Sequence, residues 1–308
     1  PHTTEEGEAH DDTWGWSVRS SVIALAVAGV AVGLMSEILV GSILGNVLLV
    51  MGAAMLAGGL GRQRQTFNAT GASVQSTMLM LAATAMVMPA IFELIEGKGL
   101  PSPGAEIVNY GSTVEHLSLA TAIVLMGTYV AGLVFSLKTH RAIFNPPYEH
   151  DEDTWGWSVR TSVIALAVAG VAVGLMSEIL VGSITEASES VGLSEFFIGV
   201  IVVAIVGNAA EHWVAVLVAY KDKMDLAVNI AIGSSAQIAL FVAPLLVIAS
   251  FFIGVGPMPL VFNGFELGAV LVAILVANYV TQDGESTWFE GVQLLALYAI
   301  LGIAFYYA

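Results

Sequence analysis

The sequence predicts an all-α, polytopic membrane protein, and three observations support this fold class. Of the 308 residues, 57% are hydrophobic and only 11% are charged, whereas soluble domains carry about 25% charged residues. The mean hydropathy is +0.84. Apolar runs of about 20 residues, the length that a helix needs to cross a bilayer, recur along the chain. The lack of cysteine excludes disulfides and thiolate metal sites, and the net charge of −16 argues against nucleic-acid binding.

The apolar runs define the predicted elements in order. Residues 1–17 form an acidic N-terminal tail, and no basic flank with a short apolar segment and cleavage site opens the chain, so we expect no cleaved leader. The predicted spans are Val18–Ile43, Leu44–Leu60, Ser76–Leu94, Val114–Leu137, Val159–Ile184, Phe196–Tyr220, Leu226–Ile253, Pro259–Thr281 and Gly291–Tyr307. The abundant glycine, 32 residues, suits close packing of membrane helices.

Basic residues predict the orientation, because loops rich in lysine and arginine stay on the cytoplasmic side. From the Leu44–Leu60 span onward, alternate loops contain Arg62, Arg64, Lys138, Arg141, Arg160, Lys221 and Lys223. The opposite loops contain Lys98 alone. The segment 139–158 is then a cytoplasmic connection. Its acidic residues Glu149, Asp151, Glu152 and Asp153 suit a solvated linker better than a cation-responsive regulatory element, although both fit the composition.

The sequence contains one long segment twice, and the two copies are followed by different residues. Residues 12–43 and 153–184 are identical except that Ser20 is replaced by Thr161. The second copy runs into the polar segment Thr185–Ser190, which predicts a loop, whereas the first runs directly into Leu44. A helix through 18–60 would be about 65 Å long, twice the hydrocarbon thickness. We therefore predict a sharp break within residues 41–46.

The motif Gly207-Asn208-Ala209-Ala210-Glu211-His212 lies inside the apolar run Phe196–Tyr220. A carboxylate at membrane depth costs about 2.5–3.5 kcal/mol on insertion scales, so such a group normally faces a cavity or a partner. Helical spacing places Asn208 and Glu211 on one face, with His212 one turn after Asn208. The alternative is a protonated Glu211 that only joins helices. Trp213 is expected to pack inside the protein.

Two further polar motifs interrupt apolar runs. Gly233-Ser234-Ser235-Ala236-Gln237 lies within Leu226–Ile253, and Gly41-Ser42-Ile43-Leu44-Gly45-Asn46 is a matching early element. Hydroxyl and amide oxygens suit a hard cation such as calcium, which takes 6–8 oxygen ligands. Serine and glycine also serve helix packing alone. Together with an intramembrane glutamate, the two motifs indicate a cation pathway.

These motifs resemble the second-repeat signature of the calcium/proton antiporter family, the cation exchangers of the calcium:cation antiporter superfamily. The resemblance also covers residues 177–184, 194–199, 41–50 and 64–68, and so extends from about residue 41 to the end. It implies two inverted repeats of five helices, joined by an acidic cytoplasmic segment. Residues 18–138 would be the first repeat, 139–158 the linker and 159–308 the second repeat.

The resemblance also implies roles for individual residues. Glu211 would be both calcium ligand and proton carrier, with His212 beside it. The residues expected to line the ion site are Gly207, Asn208, Ser234, Ser235, Gln237, Ser42 and Asn46. The first repeat of the family has its own Gly-Asn-Ala-Thr-Glu helix, and this sequence contains no such motif, so the first repeat is incomplete. We predict that residues 1–75 contain no partner for Glu211.

The expected activity is exchange of cytosolic calcium for protons by alternating access, with no cofactor besides the transported calcium. No zinc-protease motif, nucleophile elbow or intramembrane aspartate pair occurs, so an enzyme is not expected. The alternatives are a sodium/calcium or other divalent-cation exchanger and, more remotely, a cation channel. The expected partners are calcium ions, protons and the lipid bilayer, and a homo-oligomer is compatible with the sequence. The host membrane would be the plasma membrane in a prokaryote and a vacuolar-type membrane in a eukaryote.

Overall fold

The computed structural model describes residues 35–103, 111–140, 143, 158–252 and 256–308. Within these ranges the fold is all-α, as predicted, with one short pair of strands. The helices are α1 Met35–Gly59, α2 Ala69–Ile95, α3 Ser112–Thr139, α4 Val159–Val191, α5 Glu195–Gly207, α6 Ala209–Tyr220, α7 Met224–Ser250, α8 Gly264–Val280 and α9 Trp288–Tyr307. The strands β1 Gln65–Thr66 and β2 Glu285–Ser286 pair antiparallel. Five described helices (α1, α2, α3, α7 and α9) are long and apolar enough to cross a membrane, and α5 with α6 forms a bent sixth candidate.

Helix α1 overturns the predicted break within residues 41–46. It runs without interruption from Met35 to Gly59, and its Gly45–Val50 stretch has the wider π-helical turn. A Cβ atom on Gly41 would lie 2.1 Å from the Val200 carbonyl oxygen, so this glycine permits α5 to approach the α1 backbone. Packing of this kind keeps the helix continuous where composition alone indicated a break. Helix α1 therefore joins the last residues of the predicted span Val18–Ile43 to the span Leu44–Leu60, and the preceding residues 1–34 lie outside the described ranges.

The predicted loop Thr185–Ser190 is also wrong, because α4 continues through it to Val191. Alanine and glutamate are good helix formers, so a polar stretch can remain helical beyond the apolar run. The helix ends at Gly192, whose left-handed φ of 72° suits a residue without a side chain. The Gly192 N–H donates a hydrogen bond to the Ser188 carbonyl at 2.9 Å.

The core of the described structure surrounds α1. Its C-terminal half packs against α6, α7 and α9, and its N-terminal half packs against α5 and α8. Side chains of Val47, Leu48 and Met51 are fully buried there. Helix α7 repeats the local geometry of α1, since its π-helical stretch Ile238–Val242 directly follows the motif that ends at Gln237. Each of the two polar motifs therefore lies next to a widened turn inside the core.

A polar cluster joins the loops at one end of the bundle. Arg62 donates to the Tyr220 carbonyl at 3.2 Å and pairs with Asp222 at 3.4 Å. Gln65 donates to the Asp222 carboxylate at 3.0 Å. Arg64 contacts both oxygens of Glu285 at 2.9 Å. The loops after α1, α6 and α8 therefore share one end of the bundle, and the first two lie on the same side, as the sequence predicted; that this side is cytoplasmic stays a prediction.

Candidate functional site: a broken helix against α1

The chain breaks where the sequence predicted one continuous helix over Phe196–Tyr220. Helices α5 and α6 meet at 57°, and the residue between them is Asn208, with φ −103° and ψ 9°. The Asn208 side-chain amide donates to the Ala204 carbonyl at 2.9 Å, while the Asn208 carbonyl accepts from the His212 N–H at 3.0 Å. The break places Glu211 in the first turn of α6. A helix N-terminus carries partial positive charge, which stabilises an ionised carboxylate there.

Asn208 also connects the broken helix to α1. Its amide nitrogen donates a hydrogen bond to the Ser42 hydroxyl at 3.0 Å, across 166 residues of sequence. This contact is possible because Gly41, the residue before Ser42, lets the Val200 backbone come close. The structure therefore brings together two residues that the sequence analysis placed in one ion site.

Two more of the predicted site residues lie on or against the same stretch of α1. The buried Ser235 hydroxyl, on α7, lies 3.4 Å from the Ile43 carbonyl and 3.0 Å from the Ala231 carbonyl. Asn46 is 1% exposed, and its side-chain NH2 group has no hydrogen-bond partner among the described residues. A buried polar group without a partner is uncommon in native structures. Residues 42–46 of α1 are therefore lined by hydroxyl, amide and carbonyl groups from three elements.

The rest of the α7 motif faces a different space. Gln237 is exposed and lines a cavity of about 230 Å³ between α2, α3 and α7. Ser234 is half-buried. A Cβ on Gly233 would lie 3.4 Å from the Gln75 amide nitrogen. Gln75 lines the same cavity, and its buried carbonyl oxygen has no partner among the described residues.

Gln75 is a site candidate that the sequence analysis missed. It lies one residue before the predicted span Ser76–Leu94, whereas helix α2 begins at Ala69. The residues before Ser76 are therefore helical and not a loop, and Asn68 caps their first turn by accepting from the Gly71 N–H at 2.9 Å. The signal in the sequence that could have identified Gln75 was its side-chain amide, placed directly before an apolar run.

Glu211 itself is exposed, as are Gly207, Ala209 and Ala210. Trp213 was expected to pack and is instead 70% exposed. His212 is half-buried, and its Nε2 atom is buried without a hydrogen-bond partner among the described residues. This face of α6 is therefore uncovered in the part of the chain that the structure describes.

The described residues contain no group of three or more histidine, aspartate or glutamate side chains that could hold a metal ion. Glu37 is the one carboxylate in residues 35–75, and it contacts Ser36 and interacts with Glu266 rather than with Glu211. For residues 1–34, the absence of a Glu211 partner stays a prediction. The acidic residues Glu149, Asp151, Glu152 and Asp153 lie outside the described ranges.

Comparison with known proteins decides the family. The sodium/calcium exchanger protein family matches residues 19–138 and 161–307. The chain belongs to this family. It is 41% identical to the Ca(2+)/H(+) antiporter of Synechocystis sp., over 96% of this chain and 81% of that protein. It is 40% identical to the vacuolar calcium ion transporter of Schizosaccharomyces pombe, over 96% of this chain and 70% of the relative.

The fold agrees with the family. The structure of native YfkE aligns with a TM-score of 0.72 and 39% identity, covering 92% of this chain and 80% of YfkE. The resemblance to calcium/proton antiporters, inferred from the motifs at 207–212 and 233–237, is thereby confirmed. The all-α exchanger fold that this resemblance implied is confirmed with it.

Proposed function

We propose that this protein is a secondary active transporter that exchanges calcium for protons. The observation that carries the proposal is the break at Asn208, which sets Glu211 in the first turn of α6, three residues after the Asn208 side chain that bonds Ser42 of α1. Broken helices whose ends point at a midplane site are typical of ion-coupled transporters. The antiporter named for Synechocystis sp. supports the choice of calcium and protons.

The proposed coupling depends on one carboxylate. Glu211 holds either a proton or, when ionised, a share of a calcium ion, and it cannot hold both. Calcium binding therefore releases the proton, and proton binding releases calcium. Gly207, Asn208, Ser235, Ser42 and Asn46 would supply oxygen atoms, which is the ligand type that calcium prefers. Ser234 is half-buried next to Ser235, whereas Gln237 lines the separate cavity between α2, α3 and α7 and would act only if that cavity joins the ion pathway. His212 lies next in sequence and would tune the charge beside the ion.

Alternating access requires the site to open to one side at a time. The bend at Asn208 lets α5 and α6 change their relative angle with rotation at few residues, which is how hinges act. In this proposal, α5 and α6 rock against α1, and the contact between Asn208 and Ser42 forms and breaks in each cycle. Residues 18–138 and 159–308 would be the two repeats that provide these helices.

Calcium uptake into proton-loaded proteoliposomes tests the proposal. Glu211→Gln keeps the size of the side chain but can neither titrate nor supply full charge, so we expect uptake to fall to the level of empty vesicles. Glu195→Gln is the matched control, because Glu195 is an exposed glutamate in the first turn of α5. Wild-type uptake by Glu211→Gln, with a normal melting temperature, would contradict the assigned role of Glu211.

A sodium/calcium exchanger is the nearest alternative. Sodium sites in this superfamily are expected to use hydroxyl-rich helices, whereas residues 209–212 read Ala-Ala-Glu-His. Protons are therefore the better counter-ion for this chain. Other divalent cations compete with calcium for the same oxygen ligands, and competition by manganese in the uptake assay measures this selectivity.

A further inference from the structure

A second pair of acidic side chains is buried away from Glu211. Glu37 lies near the start of α1 and is 4% exposed, and Glu266 lies in the first turn of α8 and is 2% exposed. The two helices pack against each other. Because β1 after α1 pairs with β2 after α8, Glu37 and Glu266 lie toward the same end of the packed helices. Buried carboxylates are rare unless a partner compensates their charge.

The surroundings of this pair leave one oxygen atom without a partner. One Glu266 oxygen accepts from the Asn263 N–H at 3.0 Å, which is the capping contact of α8. The other Glu266 oxygen is buried and has no hydrogen-bond partner in the described structure. Glu37 accepts from the Ser36 hydroxyl at 2.9 Å. No ion pair joins either carboxylate to a basic side chain of the described residues. The capping contact therefore accounts for one Glu266 oxygen and leaves the burial of the other oxygen unexplained.

Two neighbouring carboxylates in a buried site cannot both ionise without a compensating charge. A calcium ion needs 6–8 oxygen ligands, whereas one Glu266 oxygen is held by the Asn263 N–H and one Glu37 oxygen by the Ser36 hydroxyl. A proton needs only two oxygen atoms. We propose that Glu37 and Glu266 together bind one proton, in a site separate from Glu211.

Other titratable groups lie on the elements around the pair. The elements packed against α1 and α8 contribute Glu93 on α2, Glu195 on α5, Glu211, His212 and Tyr220 on α6, Asp225 on α7, and Glu290, Tyr298, Tyr306 and Tyr307 on α9. Of these, Glu93 is fully buried and pairs with Lys98 at 4.0 Å, while Glu195 is exposed. Asp225 accepts from the Asn68 N–H at 3.0 Å near the cytoplasmic end. The charged neighbour that acts on Glu266 is Glu37.

The pair lies on one side of the candidate ion site. The C-terminal end of α1 leads to the cytoplasmic cluster around Arg62, so Glu37 is at the opposite end. Glu37 precedes Ser42 by five residues, which is about 7.5 Å along a helix. The proton site therefore lies between the contact of Ser42 with Asn208 and the non-cytoplasmic surface. It would receive or release protons on that side, whatever ion the protein transports.

Infrared spectroscopy of the purified, reconstituted protein tests this site without any transport measurement. A buried, protonated carboxyl group gives a carbonyl-stretch band that shifts in D2O, and we expect this band in the wild type at neutral pH. Glu266→Gln and Glu37→Gln should each remove or shift it. Glu195→Gln is the control, because Glu195 is an exposed glutamate in the first turn of α5. This control should leave the band unchanged.

Proton counting gives a second measurement. The double variant Glu37→Gln/Glu266→Gln should bind one proton fewer than the wild type near neutral pH, with a melting temperature that shows it to be folded. Absence of the band in the wild type would overturn the proposal, and this result does not depend on whether any variant folds. Persistence of the band in folded Glu266→Gln would also overturn it. Loss of the band on adding calcium would overturn it in favour of a cation site. Because neither readout needs exchange, failure here is distinct from failure of the proposed function.

Discussion

Substitution of Gly41 by alanine tests how the broken helix is held against α1. The added Cβ would lie 2.1 Å from the Val200 oxygen and 2.7 Å from the Val200 carbonyl carbon. Both are backbone atoms, which cannot rotate away as a side chain can. Ordinary contact distances require α5 to withdraw by about 1 Å or more. The hydrogen bond from Asn208 to Ser42, 3.0 Å long, would then exceed bonding distance.

The expected cost follows from these two effects. Overpacking costs about 1–3 kcal/mol, and the lost hydrogen bond costs about 0.5–1.5 kcal/mol. We expect Gly41→Ala to lower the free energy of unfolding by about 2–4 kcal/mol, which corresponds to a drop in melting temperature of roughly 5–15 °C. Calcium uptake should fall as well, because the contact of Asn208 with Ser42, both proposed ion ligands, is lost.

Gly45→Ala is the matched control, four residues later on the same helix. A Cβ on Gly45 has no heavy atom within 4 Å, and alanine is favoured over glycine inside a helix by about 0.5–1 kcal/mol. The control should keep or raise the melting temperature, measured by thermal unfolding in detergent. Equal melting temperatures for the two variants would refute the close approach of α5 to α1.

Two further predictions concern ion selectivity and the polar cluster around Arg62. A sodium gradient should drive no calcium movement in proteoliposomes, and sodium-driven uptake that persists with an uncoupler present would favour the sodium/calcium alternative. Asp222 has a left-handed φ of 64° and is paired with Arg62 through a largely exposed carboxylate. Asp222→Asn should change the stability by less than about 1 kcal/mol, because asparagine also tolerates this backbone conformation. Asp222→Val should cost at least about 1–2 kcal/mol more, because a β-branched residue does not tolerate this left-handed backbone conformation. Equal melting temperatures for the two variants would show that the turn has rearranged.

The sequence predicted most of the helices because hydrophobic length is a direct physical requirement for crossing a bilayer. Helix α9, for example, occupies Trp288–Tyr307 where a span over Gly291–Tyr307 was expected. The break at Asn208 could not be predicted in this way. Residues on both sides of it are equally apolar, and the bend depends on hydrogen bonds from Asn208 to α1 and to its own helix.

The opposite error occurred at residues 41–46, where glycines indicated a break and α1 is continuous. Glycine permits both a helix break and a close helix contact, and only the position of Val200 distinguishes them. For the candidate site, the sequence supplied Ser42, Asn208 and Ser235 as members, and the structure places all three on or against one stretch of α1. The burial of Glu266 was missed, because its position in a predicted span gave no sign of its neighbour on α1.

The central position of α1 has a consequence for how the protein is made. Its packing partner α9 begins at Trp288, and 228 residues (288 − 59 − 1) separate it from the end of α1 at Gly59. At about 5–20 residues per second, the ribosome needs roughly 10–45 s to synthesise that interval. During this time α1 resides in lipid with surfaces that the finished protein buries. Helix α1, the most enclosed of the five long helices described, also has the highest mean hydropathy among them, 2.2, which suits a helix that enters the membrane before its neighbours exist.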